Sequence, residues 1–138
     1  RLRSNLFHGT IPATFSALTK LSVIDLSWNQ LTGTIPPFST SIQKILLDYN
    51  TLSGPIPSHL ALPDLSLLRL SNNLLTGGIP NTFTRLSFMY FLEIAGNNLT
   101  SGLDVVAQMT WLGGILLNNN GFTGVIPASF TAMWPRKP

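Results

Sequence analysis

"LSNNLLTGGIP", Leu70 to Pro80, sets two Asn, two Gly and a Pro directly behind an apolar run. "LSWNQLTGTIP" (Leu26 to Pro36) and "LLNNNGFTGVIP" (Leu116 to Pro127) say nearly the same thing. Aligned on the Asn that follows each apolar run, the copies fall at Asn5, Asn29, Asn50, Asn73, Asn97 and Asn120, with gaps of 24, 21, 23, 24 and 23 residues. A self-similar period in this range is the mark of a repeat architecture. Apolar residues stand three, five and eight positions before the Asn: Leu26, Ile24 and Leu21; Leu47, Ile45 and Ile42; Leu70, Leu68 and Leu65; Ile94, Leu92 and Met89; Leu117, Ile115 and Leu112. Leu31, Leu52, Leu75, Leu99 and Phe122 follow it by two, and Gly9, Gly33, Gly54, Gly77 and Gly124 by four. An Ile-Pro pair then closes the copies beginning at Asn5, Asn29, Asn50, Asn73 and Asn120.

Each column has a physical reading. An apolar-x-apolar core is a period-two strand with its leucines pointing inward. The Asn sits where the chain leaves that strand, and its amide can both donate to and accept from turn backbone. Stacked copies are therefore expected to form an Asn ladder that satisfies buried peptide groups, each of which costs about 1–3 kcal/mol when left unpaired. Gly supplies a positive φ or a close backbone approach, and Pro suits an extended bend that needs no donor. A single copy cannot bury its apolar face alone, so the copies must stack.

This pattern resembles the leucine-rich repeat, and its "LTGxIP" segment resembles the plant-specific subclass seen in receptor-kinase ectodomains and polygalacturonase-inhibitor-like proteins. The resemblance spans essentially the whole chain. It implies an α/β repeat solenoid, a right-handed leucine-rich-repeat superhelix with short parallel strands on the concave face and irregular, partly helical turns behind. The expected organisation is a single solenoid over residues 1–138 with about five to six repeats. Family ectodomains commonly carry Cys-containing caps, and this chain has no Cys. The expectation is therefore a fragment without terminal caps, whose ends are covered by absent sequence or by other chains.

Two repeats depart from the pattern. "IPPFSTSIQKI" leaves few residues between Pro36 and Ile42, which predicts a tight turn. "NNLTSGLDVVAQM" carries Gly102 one place late and lacks Ile-Pro, while Leu103, Val106 and Met109 are spaced like a helix face.

Composition narrows function. Only 9% of residues are charged, against roughly 25% in an average domain, and 44% are hydrophobic. The formal net charge of +3 comes partly from Arg1, Arg136 and Lys137 at the ends. No basic stripe with interleaved aromatics speaks for nucleic acid, and the uncharged stretch from Val105 to Pro135 is broken by Asn, Gly and Pro, so no membrane span is expected. His8 and His59 lie on different repeats without a nucleophile or ligand set beside them. The expectation is no catalytic residue, no metal site and no cofactor: not an enzyme.

Recognition is the better reading. Outward strand positions form three columns: Arg1, Asp25, Leu46, Arg69, Glu93, Leu116; Arg3, Ser27, Asp48, Ser71, Ala95, Asn118; and Ser4, Trp28, Tyr49, Asn72, Gly96, Asn119. With parallel strands about 4.8 Å apart, Arg1 is expected to face Asp25 and Arg69 to face Glu93, either as register-setting pairs or as part of a binding face. Trp28 and Tyr49, with Asp25 and Asp48 alongside, read either as a stacked pair shielding Leu46 or as an acidic-aromatic patch for a peptide, a sugar or a basic protein surface. Trp111 and Trp134 fall just outside the strand register and read as packing or end-cap residues. Thr32, Ser53, Thr76, Thr100 and Thr123 make a further column, either part of the repeat itself or a water-ordering ladder. Asn98-Leu99-Thr100 is the one glycosylation sequon, with Asn98 the acceptor.

The resemblance implies an extracellular or cell-surface module of a receptor that recognises a protein or peptide ligand, with Asp25, Trp28, Asp48, Tyr49, Arg69 and Glu93 as the candidate site. A secreted inhibitor of a cell-wall-degrading enzyme and a structural component assembling through its ends are the alternatives.

Overall fold

The structure, a computed structural model, describes residues 1–133; Trp134, Arg136 and Lys137 lie outside the described residues. The apolar-x-apolar segments form β2 (Val23–Asp25), β4 (Lys44–Leu46), β6 (Leu67–Arg69), β8 (Phe91–Glu93) and β10 (Gly114–Leu116). These pair in parallel in the order β10-β8-β6-β4-β2, each residue facing its equivalent in the next repeat. This is the concave sheet. Central residues Ile24, Ile45, Leu68 and Leu92 point into the core and are at most 4% exposed.

A second parallel sheet lies across the core. It comprises β1 (His8–Thr10), β3 (Gln30–Gly33), β5 (Thr51–Pro55), β7 (Leu74–Gly78) and β9 (Asn98–Ser101), in that order. The sequence reading treats these "LTG" segments as bends, whereas they are strands that carry the positive-φ glycines Gly9, Gly33, Gly54 and Gly77 at their last residue or the one before it. Their inward leucines, Leu31, Leu52, Leu75 and Leu99, meet the concave-sheet residues in one continuous core. Pairing here is staggered by two: Thr32 faces Thr51, Ser53 faces Leu74, and Thr76 faces Asn98. The Thr column therefore runs obliquely instead of forming a flat row, and the Thr100 hydroxyl donates to Gly77 O (3.3 Å).

Behind the Ile-Pro pairs the chain turns through short 3-10 helices, Ala13–Ala17, Ser58–Leu60 and Asn81–Arg85, each entered from a Pro in extended conformation. The short repeat has no helix here; Phe38 fills the space and the Ser41 hydroxyl donates to Leu21 O (3.0 Å). The irregular repeat carries α1 (Leu103–Gln108), with Val106 and Met109 fully buried as the helix spacing requires. A last short helix, α2 (Phe130–Met133), ends the described residues. No helix among them is long and apolar enough to cross a membrane.

The turn between the sheets is held by Asn side chains. Asn50 Nδ2 donates to Leu47 O (3.1 Å) in its own repeat and to Leu26 O (3.1 Å) in the preceding one, while its Oδ1 accepts from Leu31 N (2.9 Å). Asn29, Asn73, Asn97 and Asn120 repeat this arrangement. Asn5, in the first of the described repeats, bonds within its own turn, to Leu2 O and Arg3 O.

Candidate functional site

The residue before each ladder Asn must turn the chain through the left-handed region. Ser4, Trp28, Tyr49, Asn72 and Asn119 have φ of 56–57°, and Gly96 has φ of 64°. Gly and Asn tolerate this conformation, while other L-residues lose roughly 1–2 kcal/mol there. Trp28 and Tyr49 are thus the two bulky side chains at positions that favour small or polar ones. They remain 45% and 41% exposed. Their rings stack, with centroids 3.8 Å apart and planes 19° from parallel. The stack returns about 0.5–1.5 kcal/mol, which offsets only part of the backbone cost.

Beside the stack runs a line of charge. Arg69 on β6 bridges two repeats: its guanidinium Nη2 donates to Asp48 Oδ2 (3.3 Å), and its Nε lies 2.9 Å from Glu93 Oε2. The Nε–H does not aim at that oxygen, so the second contact is a Coulombic pair and not a hydrogen bond. Arg69 therefore faces Glu93 and also reaches back to Asp48.

The two aspartates behave differently from the sequence reading. Both are buried, Asp25 at 8% and Asp48 at 1% exposure, so they do not form an exposed acidic rim. Strands about 4.8 Å apart leave a short side chain hemmed in by both neighbours. Asp25 is also not paired with Arg1: its Oδ1 accepts from the Ser27 hydroxyl (2.7 Å) and Ser27 N (3.3 Å), and among the described residues the ion pairs are those of Arg69. Burial raises the Asp48 carboxyl above its usual value near 3.8, against the opposing pull of Arg69. Its Oδ1 has no hydrogen-bond partner.

That shift fixes a sign. A carboxyl raised on folding takes up a proton more readily in the native state, so its contribution favours folding at low pH and is lost as pH rises through the native value. Asp48→Asn, which cannot titrate, is expected to lose ground to the parent as pH falls from 7 toward 4. Urea midpoints for both chains at the two pH values measure this; a gap that moves the other way would contradict the assignment.

The site has a second, aromatic end that the three sequence columns miss. Two residues before Glu93, Phe91 also points outward and is 41% exposed; Tyr90 beside it is 57% exposed. Their rings meet edge to face at 4.7 Å and 86°. A Cβ at Gly113 would collide with the Tyr90 ring, and one at Gly114 with the Phe91 ring. Neither glycine has a positive φ, so their place is to let these rings lie down on the neighbouring repeat. The dipeptide Gly113-Gly114 was the available sequence signal. Trp111 packs as read, its indole N–H donating to Leu86 O (2.8 Å). Asn98 stands exposed on β9. Among the described residues no group of His, Cys, Asp and Glu is arranged to hold a metal ion.

The family model described as "Leucine Rich Repeat" matches residues 20–40 and 64–86. Receptor-like protein 35 of Arabidopsis thaliana is 34% identical over 128 residues, covering 89% of this chain and 14% of that protein. Receptor-like protein 41 of the same plant is 34% identical over 134 residues, covering 91% and 15%. The chain thus spans about one-seventh of the length of these relatives. Among solved structures, the Arabidopsis HAESA ectodomain in complex with an extended IDA peptide hormone superposes with a TM-score of 0.86 at 34% identity, over 94% of this chain and 23% of that one. The Arabidopsis BIR3–SERK2 complex gives a TM-score of 0.81 at 32% identity, over 90% of this chain and 68% of the other.

Proposed function

The chain belongs to the leucine-rich-repeat family, and we propose that it is a ligand-recognition segment of a plant-type receptor ectodomain, working outside the cell or at its surface. HAESA binds a peptide hormone and a co-receptor; by likeness, a peptide or protein is the ligand class for this chain. Its work is recognition, not catalysis. In a secretory compartment, exposed Asn98 would carry a glycan on the second sheet, away from the concave face.

One observation carries the placement of the ligand site. Trp28 and Tyr49 occupy left-handed turn positions that Asn, Gly or Ser fill in every other repeat, and they stay exposed while doing so. Stability alone favours Asn there, so the aromatic pair answers to a ligand. Arg69 and Glu93 border the stack and set its polarity, while Asp25 and Asp48 fix Ser27 and Arg69 from below.

The Trp28→Asn/Tyr49→Asn double variant tests this. It supplies the residue the turn prefers, so its stability should stay within about 1 kcal/mol of the parent, the lost stack being offset by relieved backbone strain. Binding to a peptide selected by titrating synthetic secreted-peptide hormones against the parent chain should weaken by more than about tenfold, as for removal of an aromatic hot spot. Unchanged affinity in a folded double variant would move the ligand off this patch.

A further inference from the structure

The flank by which the chain climbs into the concave sheet carries a second set of side chains. Nine residues before each ladder Asn stand Lys20, Ser41, Asp64, Phe88 and Trp111; seven before stand Ser22, Gln43, Ser66, Tyr90 and Gly113. The backbone beside the second set is tied from repeat to repeat. Four carbonyls of the second set each accept two N–H groups from the next repeat: Ser22 O from Gln43 and Lys44, Gln43 O from Ser66 and Leu67, Ser66 O from Tyr90 and Phe91, and Tyr90 O from Gly113 and Gly114, all at 2.8–3.2 Å. The result is a backbone rail that spaces the side chains of successive repeats evenly.

Gln43, Asp64, Ser66 and Phe88 line one shallow cavity of about 410 Å³ on this rail. Phe88 is 66% exposed, far more than a packing residue needs. The Gln43 amide and Asp64 carboxylate are exposed, and the Ser66 hydroxyl, which donates to Gln43 O (3.1 Å), keeps its acceptor capacity. Beyond Phe88 the rail continues into Tyr90 and then Trp111, both exposed.

We propose that this flank binds a neutral, linear, β-linked oligosaccharide laid along the solenoid axis. An aromatic ring offers its face to the C–H face of a pyranose, while an amide and a carboxylate take pairs of adjacent hydroxyls. The repeat-to-repeat step of about 4.8 Å is close to the rise of one sugar in an extended β-linked chain, so successive sugars meet successive repeats: Gln43 first, then Asp64 and Ser66, then Phe88 and Tyr90, then Trp111. Asp64 is the one acid on the rail and repels uronates, which makes the ligand neutral. This surface meets the concave site at Tyr90 but shares no residue with the Trp28–Tyr49 patch and does not depend on it.

Isothermal titration of the chain with cellohexaose and with β-mannohexaose tests the assignment. At least one should bind with Kd below about 1 mM. Phe88→Ala and Asp64→Ala should each weaken it by about tenfold, while Trp28→Asn/Tyr49→Asn leaves it unchanged. Phe88 and Asp64 are exposed, so both variants retain the fold, checked by circular dichroism. Binding of neither neutral hexasaccharide, binding unaltered by Phe88→Ala, or heat from hexagalacturonate or hexalysine alone would each overturn the proposal, the last pointing to a basic protein instead.

Discussion

Asn73→Ala should lower the stability of the chain by about 3–5 kcal/mol and its Tm by roughly 10–20 °C. Asn73 sits mid-solenoid at 6% exposure. Its Nδ2 is shared among Leu70 O (3.1 Å), Ser71 O (3.4 Å) and Leu47 O of the preceding repeat (3.0 Å), and its Oδ1 accepts from Leu52 N (2.9 Å). Leu52 is fully buried, so its N–H loses its acceptor where water cannot replace it, while Leu47 O and Leu70 O each lose one of two donors and keep the other, Asn50 Nδ2 and Asn97 Nδ2. The orphan costs about 1–3 kcal/mol and each lost bond to a carbonyl about 0.5–1.5 kcal/mol, together a large share of the 5–15 kcal/mol that typically holds a domain together. Asn5→Ala is the internal comparison, since Asn5 is exposed and serves only its own turn; its cost should stay below about 1 kcal/mol. Thermal and urea unfolding of the two variants decide the matter. Equal, small losses would mean that the ladder contributes geometry without contributing stability.

The ladder was legible in the sequence because it is a repeated demand: every turn needs a side chain that both donates and accepts, and only Asn at that spacing supplies it. The concave strands were legible for the same reason, through their apolar alternation. The second sheet was not. Its segments contain Gly, which reads as a break, and the acceptor for Leu31 N is Oδ1 of Asn50, a residue of the next repeat. A pairing that exists only between copies is invisible within one. The two-residue stagger, which sets Thr32 opposite Thr51, is hidden likewise.

The candidate site divides along similar lines. Trp28 and Tyr49 are legible as residues at the strand exit, but the left-handed φ that turns them outward and makes them costly belongs to the turn and carries no residue signature when an aromatic fills it. Burial of Asp25 and Asp48 depends on neighbours on either side, so acids that read as a rim become buried anchors. Phe91 obeys the alternation that places Glu93 outward, yet its meaning emerges only with Gly114, the residue that lets its ring lie flat. What a single column predicts is direction; what a pair of columns predicts is contact.

Gly102→Ala should cost about 3–5 kcal/mol, for reasons that a second glycine separates. Gly102 opens α1 with φ of 99° and ψ of 17°, a conformation L-residues rarely adopt. A Cβ there would also lie 2.7 Å from Ile79 N, 2.8 Å from Ile79 Cβ and 2.9 Å from Ile79 O. These atoms cannot swing aside: Ile79 is 4% exposed and its N–H donates to Ser101 O (3.0 Å). Relief would have to shift α1, whose first bonds run from Val105 N and Val106 N to Gly102 O at 3.2 and 3.3 Å. Gly124 has nearly the same φ, 96°, with nothing within 4 Å of its Cβ position. Gly124→Ala therefore carries the backbone cost alone, about 1–2 kcal/mol, and the difference between the two variants measures the close approach of α1 to the preceding repeat. If both lose the same amount, backbone conformation is the whole cause. If Gly102→Ala loses about 2 kcal/mol more, the late glycine of the irregular repeat is what allows a helix to replace Ile-Pro without opening the core.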